Sequence, residues 1–79
     1  MIAPSTCRAA RGLIGMTQAE LATAASVGLS TVRGFENGTS IPVSNNLAAI
    51  QRTLEAAGVE FLKEGDAPGI GGAGVRLTK

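Results

Sequence analysis

The sequence predicts a mainly α fold, four short helices closing one thin core, followed by a short C-terminal β-hairpin or β-ribbon. Three observations carry this expectation. Start and stop signals for helices recur from Pro4 to Gly58, apolar residues between them fall three and four apart, and beyond Gly58 the apolar spacing changes to two. The chain of 79 residues is the size of one small unit. Its expected division is a helical part over residues 1–58 and a ribbon over 59–79.

The first helix is expected to begin at Pro4, whose fixed φ suits the first helical position, and to end at Gly15. Cys7, Ala10, Leu13 and Ile14 form its apolar face, with Cys7 as a small core residue without chemistry of its own. Thr17 and Glu20 make a Thr-x-x-Glu capping box, so a second helix starts at Gln18 and turns Leu21, Ala22 and Ala25 inward. Ser26-Val27-Gly28 interrupts. A third helix runs from Leu29 to Asn37, with Val32 and Phe35 inward and Gly38 as its stop. Pro42 excludes a helix between Thr39 and Val43, and Ser44 is the expected N-cap of a fourth helix from Asn45 to Ala57. Leu47, Ile50, Leu54 and Ala57 share its inner face, and Gly58 ends it in a left-handed conformation.

Val59 and Phe61 then alternate with Glu60, as Val75 and Leu77 do with Arg76. An antiparallel register pairing Val59 with Leu77 and Phe61 with Val75 also brings Glu60 to Arg76 on the opposite face. Such a ribbon is marginal alone in water, so it either docks on the helices or joins the same ribbon of a second subunit. The second course makes Val59, Phe61, Val75 and Leu77 dimerisation residues. Residues 63–73 between the strands are glycine-rich and expected to form a loop. Gly69 to Gly74 satisfies G-x-G-x-x-G but lacks the preceding strand, following helix and acidic residue about 20 positions on that a dinucleotide cradle needs, so a loop is the expected reading over a cradle.

Composition removes several classes of function. One cysteine and no histidine leave no internal disulfide, no Cys/His zinc site and no histidine-based catalytic pair. No general base near neutral pKa, metal set or activated nucleophile can be assembled, so the chain is not expected to be an enzyme and no cofactor is expected. No apolar run approaches the roughly 20 residues of a membrane span, and a signal-peptide pattern is lacking, which points to the cytoplasm. With two Phe and neither Trp nor Tyr the core is aliphatic, and a thin core favours dimerisation. The net charge of +1 limits non-specific attraction to phosphates, so tight binding to nucleic acid would rest on placed contacts.

Gln18-Ala19-Glu20-Leu21-Ala22, Val27, Val32 and Phe35-Glu36-Asn37-Gly38 resemble the lambda-repressor and Cro type of helix-turn-helix, the XRE family. The resemblance covers roughly residues 5–57, without a gap between Gln18 and Gly38. One departure is Ser26, where the family commonly has glycine. A left-handed serine is strained, so a turn displaced by one residue is expected.

The resemblance implies a lambda-repressor-like fold and a sequence-specific DNA-binding regulator of transcription, a repressor acting on a palindromic operator as a homodimer. In such proteins the second helix of the pair enters the major groove. Here that assigns base reading to Gly28, Leu29, Ser30, Thr31, Arg33 and Gly34, with Arg33 donating to a guanine or else holding a phosphate. Leu29 meets a thymine methyl or packs across the turn. Gly34 admits the backbone to the duplex or is a helical liability. Phosphate contacts are implied for Gln18, Asn37, Thr39 and Ser40, and a structural ion pair for Arg11 and Glu36. Arg8 and Arg52 are expected to be solvated charges. A rival reading is a protein-interaction module, an antitoxin or anti-activator with a regulatory protein partner, motivated by the low net charge and by an exposed Leu29.

Overall fold

A computed structural model describes residues 2–62 and 74–78. Four helices, α1 (Pro4–Ile14), α2 (Gln18–Ala25), α3 (Leu29–Asn37) and α4 (Ser44–Ala56), precede two strands, β1 (Val59–Leu62) and β2 (Gly74–Leu77). The loop expected between the strands lies outside the described residues.

Local chemistry accounts for most of the helix ends. Pro4 opens α1, and Thr6 Oγ1 both accepts from the Ala3 amide and donates to the Ala3 carbonyl, each at 3.0 Å. Gly15 closes α1 at φ 68°, where a side chain would be strained. The capping box of α2 is formed: the Glu20 amide donates to Thr17 Oγ1 (3.0 Å) and the Thr17 amide to Glu20 Oε1 (2.8 Å). These bonds hold the Glu20 carboxyl below its usual range. The turn expected to shift does not. Ser26 itself is left-handed, at φ 58° and ψ 42°, and the Val27 amide closes the turn on the Ala22 carbonyl at 3.0 Å. The packing of α2 on α3 therefore holds a serine where glycine would be at ease.

Two expectations about α4 are corrected. Ser44 is its first residue and not its cap; Val43, extended at φ −60° and ψ 155°, occupies the cap without a side-chain bond. Ala57 lies outside the helix and is exposed, so the inner face is Leu47, Ile50 and Leu54. Similarly, Leu13 of α1 is 44% exposed, leaving Cys7 and Ala10 as the fully buried residues of that face.

The strands pair antiparallel within the chain, in the register that the alternation predicts: Val59 with Leu77, Glu60 with Arg76 and Phe61 with Val75. Arg76 Nε donates to Glu60 Oε1 at 2.6 Å on the exposed face. The other face docks on α1 and α4. Val59 is fully buried in the helical core, and Phe61 and Val75 are partly buried against it. Of Val59, Phe61, Val75 and Leu77, only Leu77 is exposed. Ile2, ahead of α1, also enters the core. Together Leu21, Val32, Ile50, Leu54, Cys7 and Val59 form a packed centre on which α2 and α3 are held.

Candidate nucleic-acid interface

Helix α3 presents two faces of opposite character. Val32, Phe35 and Glu36, three and four apart, point inward and are buried. Ser30, Arg33 and Asn37 are exposed, with Gly28 exposed at the N-cap. Arg33 is thus the one charged side chain that α3 offers to solvent, because its other charged residue, Glu36, is only 2% exposed. Thr31 and Gly34 are half-buried. Leu29 is half-buried as well and packs against the core, which favours packing across the turn and removes the exposed leucine that motivated a protein partner.

Glu36 is the hub that fixes this helix. Its carboxylate accepts from Arg11 Nη2 at 2.6 Å, Arg11 Nε at 2.6 Å, Gln18 Nε2 at 3.0 Å and the Cys7 thiol at 3.1 Å. A buried carboxylate without partners would be prohibitive, and here four donors from α1 and α2 converge on it. Burial pushes the Glu36 carboxyl up, but hydrogen bonds from Arg11, Cys7 and Gln18, aided by the Arg11 charge, outweigh burial and leave it below its ordinary value. The same pairing raises Arg11 above its usual range. Cys7 moves the other way: burial, then its bond to Glu36, pushes the thiol up to about 12.

The ion pair of Arg11 and Glu36 stands as the resemblance implies, yet three further members of the hub are absent from the sequence reading. Arg8 is not merely solvated; its Nη1 donates to the Glu36 carbonyl. Arg52 is exposed, as expected. Cys7 is more than a small core residue, since it donates to the carboxylate. Gln18 Nε2 is turned to Glu36, which positions the amide at the start of α2. A signal was present. Glu36 follows Val32 by four and Phe35 by one, an inward position, while Cys7, Arg8 and Arg11 lie within one turn of α1.

Beyond α3 the chain folds back on it. The Thr39 amide and hydroxyl both donate to the Gly34 carbonyl, at 2.9 and 3.2 Å, and the Ser40 amide does so at 3.2 Å. A Cβ on Gly34 would collide with Ser40 Oγ. The close approach that Gly34 allows is therefore one within the chain itself. Asn37, Thr39 and Ser40 are all exposed beside it.

Among the described residues no cluster of His, Cys, Asp or Glu could hold a metal ion, and no helix is long and apolar enough to cross a membrane. A comparison with curated proteins finds no match. The family model described as Helix-turn-helix matches residues 8–60, which include all of α2, α3 and α4 and most of α1. With α3 held by its neighbours and its outer face open, the chain belongs to the helix-turn-helix family of lambda-repressor and Cro type, whose domains bind DNA and regulate transcription.

Proposed function

We propose that this chain is a sequence-specific repressor that binds a palindromic operator as a homodimer, with α3 lying in the major groove. The observation that carries this reading is the isolation of Arg33. It is the only exposed charge on α3, and it stands on a helix fixed by the Glu36 hub. A guanidinium held in this way can donate two parallel hydrogen bonds to O6 and N7 of guanine. Gly28, Ser30 and Thr31 complete the surface facing the bases. Asn37 and Ser40 hold the backbone with side-chain amide and hydroxyl groups, and the second amide proton of Gln18 serves a phosphate near the N-terminus of α2.

Repression needs only occupancy of the operator, which two copies achieve with α3 helices about 34 Å apart, one duplex turn. No catalytic step and no cofactor enter this scheme, and its setting is the cytoplasm. A gel-shift comparison of wild type with Arg33→Ala, on a duplex that the protein enriches from a random pool, tests the reading. Arg33→Ala is expected to lose roughly 1–3 kcal/mol of the preference for that duplex over one with the contacted guanine replaced. Unchanged discrimination would take base reading away from Arg33.

A further inference from the structure

The segment after α3 carries a feature that neither the fold nor DNA contact uses. Ile41 is 89% exposed and Val43 is 67% exposed, the two most exposed large apolar side chains among the described residues. Pro42 between them is half-buried. Val43 itself is extended, at φ −60° and ψ 155°. Ile41 and Val43 thus stand in solvent on either side of a half-buried proline. The result is a short, exposed apolar strip.

From this arrangement we infer that Ile41 and Val43 form a self-association face, across which a second copy of this chain pairs symmetrically. The inference rests on the homodimer reading above and names its interface. Charge selects the occupant. From Asn37 through Gln51 the sequence holds no charged residue at all. Neither Ile41 nor Val43 carries a side-chain donor for a phosphate oxygen, and an oppositely charged protein partner would call for complementary charges. A two-fold contact sets a surface against itself, so any charge on it faces its own copy; an uncharged apolar strip meets that condition. The ribbon is the weaker choice for this role. Val59, Phe61 and Val75 already pack on the helices of their own chain. The strip also lies past the C-terminal end of α3, whereas base edges are met by the N-terminal end of a recognition helix.

The test uses the full chain with single cysteines introduced as Ile41→Cys or, as a reference, Arg52→Cys on an exposed position of α4. Native Cys7 stays silent, being fully buried with its thiol pushed up to about 12. Diamide takes two electrons and two protons from a pair of thiols and leaves a disulfide, read on a non-reducing gel. Ile41→Cys is expected to yield a linked dimer that Arg52→Cys does not, with or without DNA. No dimer, or equal dimer from both variants, overturns the inference. A second arm measures Ile41→Ser/Val43→Ser on the duplex enriched by the wild type and on one half of it. Binding to the whole duplex is expected to weaken at least about tenfold while half-site binding changes less than about twofold. Equal weakening on both duplexes would mean that the strip touches DNA, and would also overturn it. If the wild type enriches no duplex, the DNA reading fails, and the disulfide result alone still decides the pairing.

Discussion

Replacing Glu36 by glutamine keeps the shape of the side chain and removes its charge, so Glu36→Gln isolates what the hub contributes. Four donors from Arg11, Gln18 and Cys7 converge on the carboxylate, and an amide offers one oxygen to them while turning its own NH2 toward the rest. Arg11 is then a cation without its counter-ion. Breaking a deeply buried pair costs about 3–5 kcal/mol. The Arg11 side chain keeps 19% of its surface in water and its bond to the Met16 carbonyl, so the loss belongs at the lower end, about 3 kcal/mol. A chain of this length has a total stability of about 4–12 kcal/mol, and the melting temperature should fall by about 12–24 °C. The chain has no Trp, so helical circular dichroism is the probe, in heat and in urea. The pH profile gives an independent check. The Glu36 carboxyl sits below its ordinary 4.5 in the folded state, so acid protonates the unfolded chain first. Its contribution is complete above that ordinary value and is lost as pH falls through the depressed folded value. The gap between wild type and Glu36→Gln should therefore be widest near neutrality and shrink in acid. A variant within about 0.5 kcal/mol of wild type at pH 7 would refute the hub as the anchor of α3.

Ser26 pays for its left-handed backbone, so Ser26→Gly is expected to raise stability by about 1 kcal/mol, seen as a higher urea midpoint; a lower midpoint would show that the turn is not strained. At Gly34 an alanine favours the helix by roughly 1 kcal/mol but collides with Ser40 Oγ, so Gly34→Ala/Ser40→Ala should melt higher than Gly34→Ala alone. Equal melting temperatures would free Ser40 of that role. Cys7, buried and held protonated at neutral pH, should react with a thiol reagent only on unfolding, so its labelling rate in rising urea should follow the loss of helix. Rapid labelling of the folded chain would contradict its place beside Glu36.

The helix ends and the strand register were legible because each is decided locally. Thr17, Glu20, Gly15 and Gly38 carry their geometry with them, and the alternation on both ribbon faces admits one register. Errors gathered where burial depends on distant partners. Leu13 has the spacing of a core residue, yet among the described residues no element covers it. Ser44 has the chemistry of a cap, but the extended Val43 already fills that place. The apolar face of the ribbon had to be covered, and nothing in its own residues distinguishes a helix of the same chain from a second subunit. The Glu36 hub was half legible: the family pattern pairs Arg11 with it, whereas Cys7, Arg8 and Gln18 join only once α1, α2 and α3 are in place. Ile41 and Val43, by contrast, give no periodic signal at all. Their exposure emerges only with the fold.

The most direct measurement of the central claim is enrichment from a pool of random duplexes, run in parallel with wild type and Arg33→Ala. The account predicts that the wild type enriches a two-fold symmetric motif with a guanine in each half, and that Arg33→Ala, equally helical, loses preference at that guanine while keeping the rest. A motif identical for both proteins, or none for the wild type, would contradict it.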